Sequence, residues 1–377
     1  MSQPDLLAPN LLTRTAQLRA LADKLSAEPL IAVDTESNSL HAYQEQVCLI
    51  QFSIPESDFL VDPLSLDDLS PLAPLFADPK HEKIFHAAEY DLICLKRDFD
   101  FTFANVFDTM FAARILGRKK VGLGSMLEEE FHVVLDKKYQ RANWGQRPLP
   151  SYLRVYAQLD THYLIPLRNH LREQLQRKKR WPLAKEDFTR LCQINGREPT
   201  PKEDWVWRIN GARDLTPKEA AVLQELCFWR EEMAEKLDRP VFKVMNDHLL
   251  VTLAQRLPLD RAELQRAGMT DRQIHRFGPG VLAAISRGVA APPLYPPTHP
   301  RPDEDFLNRM EALSDWRKHR ARSLGVESDV VLPREHVSKI ARHNPPDEAA
   351  LLPLMDDIPW RYEQFRKQIL HVLERMN

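Results

Sequence analysis

The sequence predicts an α/β domain with a mixed sheet, followed by an all-α second half. Two observations support this fold class. Short apolar runs are followed by alternating helical and strand patterns in the first 110 residues, and almost no strand pattern occurs after residue 178. With 377 residues, 43% of them hydrophobic, the chain is long enough for two or three domains with cores of their own.

The first half opens with an amphipathic helix. Thr13 is a plausible N-cap, and Leu18, Leu21, Ala22 and Leu25 follow at helical spacing. Three strands are predicted next, and their short connections favour antiparallel neighbours. In chain order the predicted elements are strands 30–36, 47–53 and 58–61, a helix at 66–77, a strand at 83–85, a helix at 89–98 and a strand at 105–107. Helical patterns then dominate residues 108–176, so we expect a mixed sheet covered by helices.

The second half is predicted to be helical. Residues 192–204 are typical of a linker, and Thr216-Pro217 with Glu219 predicts a capping box at a helix start. Residues 291–302 hold six prolines, a density typical of a stiff polyproline spacer of at most about 37 Å. Residues 303–377 again show a helical period, with Leu307, Met310, Leu313 and Trp316 on one face. The spacer suggests that the helical units are held apart, as an arm around a folded substrate would need.

Composition excludes several classes of protein. The formal net charge is −2 and the isoelectric point is near 6.7, so nucleic-acid contacts must come from local patches. The four cysteines are far apart, which favours reduced thiols in a cytoplasmic protein over a zinc site or disulfides. We expect no signal peptide and no membrane span, because no basic start precedes an apolar core and no apolar run approaches 18 residues.

Three acidic clusters in the first 160 residues carry the candidate chemistry. Asp34 and Glu36 alternate on a predicted strand and therefore share a face, and Tyr156 and Asp160 share a face of a predicted helix. Asp91 belongs to the third cluster. Taken singly, each is an ordinary solvated acid. Taken together, four convergent carboxylates indicate hard divalent cations, Mg²⁺ or Mn²⁺.

Five sequence blocks occur in an order that resembles ribonuclease D, a DEDDy-type 3′→5′ exonuclease. They are LIAVDTE at 30–36, HAAEYDLICL at 86–95, FDTMFAARIL at 107–116, NWGQRPL at 143–149 and YAQLDTHYL at 156–164. The resemblance covers roughly residues 12–175 and implies a ribonuclease H-like exonuclease domain at 1–190. Asn143 departs from the Ser or Asp that family members often carry, at a position that is not a metal ligand.

Residues 213–289 resemble an HRDC domain, a small helical bundle also found in RecQ-type helicases. The pieces that carry this resemblance include Leu215–Glu219, Trp229-Arg230 and Gly278-Pro-Gly280. We therefore expect an HRDC domain at 205–290, a Pro-rich linker at 291–302 and a second, diverged HRDC-like domain at 303–377.

The resemblance implies a metal-dependent exoribonuclease that trims tRNA precursors and other small RNAs and releases nucleoside 5′-monophosphates. Two divalent ions would flank the scissile phosphate. Asp34 would bridge both ions, Glu36 and Asp160 would complete one site, and Asp91 would serve the other. Tyr156 would orient the attacking water, since a free tyrosine is a poor base at neutral pH.

Two other functions stay open. The same chemistry would serve a DNA exonuclease in repair that acts on single-stranded DNA, and an inert nuclease fold could simply bind nucleic acid. The presence of all four carboxylates and the tyrosine argues against a protein that only binds nucleic acid. The order of exonuclease then HRDC, with no helicase or polymerase module, favours RNA. The oligomeric state is left open.

Six further residues are candidates beside the metal ligands or the substrate. Asp108 could hold a metal ligand or the backbone in place, or it could simply cap a helix. His86 could form a hydrogen bond near the substrate, or it could be a core histidine. Arg147 could contact phosphate, whereas packing is favoured for Trp144. Leu40 could wedge against the terminal base, and Thr35 lies between the first two acids. Basic stretches at 168–180 and 317–322 either guide the RNA backbone or form solvated helix faces.

Overall fold

A six-stranded mixed sheet forms the centre of the first half. The computed structural model of the chain describes residues 6–196, 201–298 and 303–376. The strands are β1 (Asn10–Leu12), β2 (Leu30–Ser37), β3 (Val47–Ile54), β4 (Ser57–Val61), β5 (Glu82–Phe85) and β6 (Val106–Asp108). They lie in the order β1-β4-β3-β2-β5-β6. The pairs β2–β3 and β3–β4 are antiparallel, as predicted, while β1–β4, β2–β5 and β5–β6 are parallel.

Eight helices follow or flank these strands within residues 6–196. They are α1 (Thr15–Leu25), α2 (Ala73–Ala77), α3 (Glu89–Phe99), α4 (Thr109–Leu116), α5 (Leu123–Phe131), α6 (Ser151–His162), α7 (Leu164–Arg177) and α8 (Trp181–Cys192). They cover a sheet whose central strand β3 is buried along its whole length. The mixed, helix-covered sheet predicted from the sequence is confirmed.

Two local predictions were wrong. Arg14, not Thr13, is the N-cap residue of α1, and it makes no side-chain cap bond. Thr13 instead donates its amide to the Gln17 side chain. The helix predicted at 66–77 is reduced to 3-10 turns and the five-residue α2, because Pro71 and Pro74 lack the N–H that a continuous helix needs.

The chain divides into two compact units. The first comprises the described residues of Met1–Ser37, Val47–Gly196 and Arg301–Asn377, and the second those of Asn38–Gln46 and Arg197–Pro300. The segment Asn38–Gln46, which leads from β2 to β3, therefore belongs to the helical unit. Its Tyr43 hydroxyl donates to Glu231 at 3.1 Å, and its Tyr43 amide donates to Asp238 at 3.0 Å.

The second unit is built on two long helices packed closely together. Its helices are α9 (Pro217–Lys236), α10 (Val241–Val244), α11 (Asp247–Arg256), α12 (Arg261–Arg266) and α13 (Asp271–Ala290). The predicted capping box of Thr216 and Glu219 starts α9. Gly280 has to be glycine because a Cβ there would lie 2.4 Å from Trp229 Nε1. The start of the Pro-rich segment lies on this unit, since Leu294 donates its amide to the Pro217 carbonyl; residues 299–302 lie outside the described part.

The C-terminal helices pack on the sheet domain. They are α14 (Glu304–Leu324), α15 (Ser328–Val331), α16 (Arg334–His343), α17 (Glu348–Leu351) and α18 (Pro359–Glu374). Arg361 of α18 is 1% exposed and binds Glu186 at 2.6 Å and Asp187 at 2.7 and 2.9 Å, both on α8. These helices therefore belong to the same compact unit as the sheet.

The predicted apolar face of α14 is only partly correct. Leu313 is fully buried, and Met310 and Trp316 pack against the same core. Leu307 is 49% exposed, because it sits at the solvent side of the first turns of α14. Nowhere in the described ranges is a helix both long and apolar enough to cross a bilayer.

Candidate active site

Strand β2 and helix α6 bring three carboxylates together. Asp34 and Glu36 alternate on β2, opposite Gln51 and Leu49 of β3, and thus point to the same face. Asp160 comes from α6, which packs on β2. One ligand oxygen from each of these three side chains lies within 4.8 Å of the other two.

Asp91 is the fourth carboxylate, and Thr35 holds it in place. Asp91 lies in the first turn of α3 and is buried. Its Oδ1 accepts the Thr35 amide at 3.1 Å and also the Thr35 hydroxyl. Thr35 therefore links β2, which carries Asp34 and Glu36, to α3, which carries Asp91.

Asp108 fixes the turn from which α3 starts. Its carboxylate caps α4 by accepting the amides of Met110 and Phe111 at 2.8 and 3.0 Å. The same carboxylate accepts the amides of Ala87 and Ala88 at 3.2 and 2.6 Å. Ala87 has a φ of +64°, a left-handed conformation that a non-glycine residue seldom adopts. Asp108 thus serves both as the helix cap and as the support of the backbone before Asp91.

Burial raises the proton affinity of all four carboxylates, and the charge of a neighbouring carboxylate adds to this for Asp34, Glu36 and Asp160. Burial, then the charges of Asp91, Asp160 and Glu36, raise the pKa of Asp34 well above its usual value. Burial and the charges of Asp160 and Asp91 do the same for Glu36. The pKa of Asp91 rises to about 7, chiefly through burial, and that of Asp160 to about 8, through burial and the charge of Asp91.

Such a cluster fits divalent cations. All the ligand atoms are oxygens, and bound cations would remove the repulsion that raises the carboxyl pKa values. Asp34, Glu36 and Asp160, whose ligand oxygens converge, are the residues that would hold such an ion.

Tyr156 lies beside the acids with its ring fixed by neighbours. It is 6% exposed, and its ring centroid lies 6.0 Å from that of Trp144 and 5.8 Å from that of Tyr139. Gln140 forms a hydrogen bond with its side chain. Burial and the nearby charges of Asp160, Glu36 and Asp34 raise its pKa, so the phenol is neutral at physiological pH. A neutral hydroxyl can orient a water molecule by a hydrogen bond, but it is poorly suited to take a proton from that water.

A cavity of about 440 Å³ connects these groups. It is lined by the acidic residues Asp34, Glu36 and Asp160, by Thr35, His86 and Tyr156, and by Gly122, Leu123, Gly124, Ser125, Leu135 and Gln140. The last six were not predicted from the sequence. Gln140 lies only three residues before the Asn143-Trp144 block, and that proximity is the signal that could have identified it.

His86 lies in the unit that holds this cavity, and Leu40 belongs to the other unit. His86 lines it, and its Nδ1 lies 2.9 Å from the Thr109 hydroxyl. Burial lowers the pKa of His86 to about 4, so the imidazole is neutral. Leu40 is 39% exposed and belongs to the segment Asn38–Gln46 of the helical unit, and its contact with a terminal base stays a prediction.

Arg147 is a structural clamp, and the expectation that it contacts phosphate is wrong. Its Nε and one Nη bind Asp62 at 2.7 Å each. The remaining N–H groups donate to the carbonyl oxygens of Cys48, Trp144 and Gln146 at 2.7–2.8 Å. All five guanidinium donors are thereby used within the protein. Trp144 is 1% exposed and packs against Tyr156, as favoured from the sequence.

The basic stretch at 168–180 is largely structural. Arg168 is buried against Glu82, Arg172 lies 4.6 Å from the Trp181 ring, and Lys178 and Arg180 donate to backbone carbonyls. Arg177 and Lys179 are exposed.

The second basic stretch, at 317–322, is partly exposed. Arg317 donates to the Leu332 carbonyl, and Arg320 lies over the Phe365 ring. The side chains of Lys318, His319 and Arg322 are exposed.

Comparisons with known proteins agree with this architecture. Residues 9–176 match the family model of a 3′-5′ exonuclease, and residues 219–285 and 306–373 each match the HRDC domain. Ribonuclease D of Escherichia coli is 33% identical over 284 residues, which cover 75% of each chain. The Arabidopsis thaliana protein RRP6-like 3 is 33% identical over 278 residues, which cover 66% of this chain. The chain spans only 31% of that relative's length.

A solved structure extends the likeness to the whole chain. The crystal structure of Escherichia coli RNase D, an exoribonuclease involved in structured RNA processing, superposes with a TM-score of 0.72 and 26% identity. The match covers 98% of this chain and 99% of that one. Together with the relative of 33% identity, this shows that the chain belongs to the ribonuclease D family, with a 3′-5′ exonuclease domain and HRDC domains.

Proposed function

We propose that the protein is a metal-dependent 3′-5′ exoribonuclease that removes nucleoside 5′-monophosphates one at a time. The observation that carries this proposal is the cavity in which Asp34, Glu36 and Asp160 converge beside Tyr156, in a chain of the ribonuclease D family.

In this proposal Asp34, Glu36, Asp91 and Asp160 hold two divalent cations, Mg²⁺ or Mn²⁺. Bound cations supply charge that activates water and stabilises the leaving 3′ oxygen. The chain supports this with its own contacts. Asp34, Glu36 and Asp160 form one close group, while Thr35 aims Asp91 from the opposite element. Tyr156, held by Gln140 and packed on Trp144, keeps its neutral hydroxyl at the cavity, where it positions the water.

RNA, and not DNA, is the proposed substrate, because the ribonuclease D relatives share this order of domains. The phosphate chemistry is common to both polymers, so single-stranded DNA is the alternative. The test is to incubate the full chain with 5′-labelled RNA and DNA oligonucleotides of one sequence in Mn²⁺, with EDTA as control, and to identify the mononucleotides released. We expect RNA to shorten from its 3′ end in single steps. Equal or faster digestion of DNA would favour the repair alternative, and no digestion would contradict an exonuclease.

We further propose that the natural substrates are tRNA precursors and other small RNAs with folded bodies, processed in the cytoplasm. The HRDC domains and the exposed Lys318, His319 and Arg322 support contacts to a structured RNA beyond the 3′ end. The double variant Lys318→Ala with Arg322→Ala distinguishes recognition of folded RNA from binding to RNA of any kind. We expect kcat/KM to fall more on a 3′-extended tRNA precursor than on an unstructured oligonucleotide. Equal losses on both substrates would contradict a role of this surface in choosing folded RNA.

A further inference from the structure

Helix α6 continues the active-site face with an exposed tyrosine. Tyr152, Tyr156 and Asp160 are spaced four residues apart and therefore lie on one stripe of the helix. Tyr156 and Asp160 line the carboxylate cavity. Tyr152 lies one turn before Tyr156, about 6 Å along the axis, and is 50% exposed. The functional face of α6 thus extends from the cavity to solvent.

A second tyrosine joins the exposed ring to the buried one. The Tyr139 ring centroid lies 5.1 Å from that of Tyr152 and 5.8 Å from that of Tyr156. The neighbouring residues Leu135 and Gln140 both line the cavity. The aromatic surface of Tyr152 and Tyr139 is therefore continuous with the cavity wall. Packing of α6 does not require Tyr152, because half of its side chain faces solvent and the buried residues of the helix begin at Leu153.

The charges around these rings suit a polyanion with flat bases. Lys138 Nζ lies 4.6 Å from the centroid of the Tyr139 ring and also pairs with Asp136. Among the described side chains of residues 136–141, Lys138 and Arg141 are basic and Asp136 is acidic. An exposed tyrosine packed on a half-buried one, with net positive charge beside them, is an arrangement that binds single-stranded nucleic acid by stacking and backbone contacts.

We propose that Tyr152 and Tyr139 form a stacking platform for the bases of single-stranded RNA next to the 3′-terminal nucleotide. The terminal nucleotide would occupy the cavity, and the bases before it would lie on the two rings. The proposal rests on the proposed function for the identity of the ligand. It adds a binding subsite, which accepts any base because every base has a flat aromatic face.

The test is the affinity of the full chain for a fluorescent ten-nucleotide RNA, measured by anisotropy in Ca²⁺ to prevent cleavage. Tyr152→Ala removes the ring and Tyr152→Phe keeps it. Tyr295→Ala is the matched control, because Tyr295 is a 69% exposed tyrosine of the helical unit. We expect Tyr152→Ala to weaken binding roughly 5- to 150-fold, the range for loss of one stacked base, and the other two variants to bind like the wild type.

A second RNA that lacks the bases just before its 3′-terminal nucleotide shows whether the contact is to a base. We expect it to bind wild type and Tyr152→Ala equally weakly. Unchanged affinity of Tyr152→Ala for the complete RNA, or an equal loss on both RNAs, would overturn the platform. Hydrolysis of a nucleoside 5′-p-nitrophenyl phosphate, which has no upstream base, should be the same in Tyr152→Ala and wild type. Failure of the wild type to hydrolyse RNA would contradict the proposed function, whereas the binding comparison would still decide the platform.

Discussion

Thr35 and Asp91 are joined by two hydrogen bonds, one from the Thr35 amide and one from its hydroxyl, both to Oδ1 of Asp91. The two residues lie 56 positions apart, on β2 and α3. Because Thr35 is flanked by Asp34 and Glu36, this contact sets the position of Asp91 relative to the other carboxylates.

Replacing Thr35 by valine tests this contact. Thr35→Val keeps the shape and the amide bond but deletes the hydroxyl. Loss of such a supporting contact typically lowers metal affinity or activity ~10–100-fold. We expect the Mn²⁺ concentration for half-maximal single-turnover cleavage to rise by that order. Thr35→Ser should behave like the wild type, and an unchanged Mn²⁺ dependence in Thr35→Val would show that the hydroxyl does not position Asp91.

Tyr156→Phe should reduce turnover strongly and leave RNA binding nearly intact. The substitution deletes one hydroxyl and retains the ring that packs against Trp144 and Tyr139. Groups that orient or deprotonate a nucleophile typically contribute ~10²–10⁴-fold. The measurement is the single-turnover rate together with the Kd for RNA in Ca²⁺. A rate within threefold of the wild type would place the phenol away from the water.

The raised carboxyl pKa values predict how stability depends on pH. In the unfolded chain Asp titrates near ~3.9, whereas in the fold Asp91 and Asp160 titrate at about 7 and about 8. These groups therefore favour the folded state fully below pH ~4 and lose that contribution as the pH rises toward 8. We expect Tm of the metal-free protein to fall between pH 5 and 8, and Mn²⁺ at pH 8 to restore it.

Asp160→Asn is the control for this pH effect, because it removes one of the titrating groups and the charge that acts on Asp34 and Glu36. Its Tm should fall less steeply over the same pH range. A slope identical to that of the wild type would show that the loss of stability arises elsewhere in the protein.

Arg361 is predicted to hold the C-terminal helices on the sheet domain. It is fully buried between Glu186, Asp187 and the Val330 carbonyl. Removing one partner of a buried ion pair leaves uncompensated charge and typically costs ~3–5 kcal/mol. Arg361→Met should lower the free energy of unfolding by that order in urea denaturation. Arg366→Met, on the same helix but in more exposed pairs with Glu348 and Glu363, should leave the free energy of unfolding nearly unchanged. Similar losses in both variants would contradict this role of Arg361.

Local periodicity explains which features the sequence could predict. The two-residue spacing of a strand placed Asp34 and Glu36 on one face, and the four-residue spacing of a helix did the same for Tyr156 and Asp160. The structure brings the three acids of these pairs together. The Thr216 capping box is equally local. Assignment of Asp91 to the cluster depended on the resemblance, since no spacing links α3 to β2.

Long-range contacts explain the errors. Arg147 binds Asp62 and Cys48, which lie 85 and 99 positions away, so its neighbours in sequence gave no sign of a clamp. The docking of the C-terminal helices depends on Arg361 and Asp187, 174 positions apart. The density of prolines at 291–302 described the stiffness of that segment and carried no information on what the following helices pack against.

The most direct test of the central claim is single-turnover cleavage of 5′-labelled RNA by Asp34→Asn and Asp160→Asn in Mn²⁺, with Tm measured on the same samples. Each substitution removes one charge from the carboxylate group while keeping the size of the side chain. We expect no shortening of the RNA in either variant and a Tm equal to or above that of the wild type, because repulsion among the carboxylates is relieved. Full activity in either variant, still dependent on the metal, would contradict the assignment of these carboxylates as the metal centre.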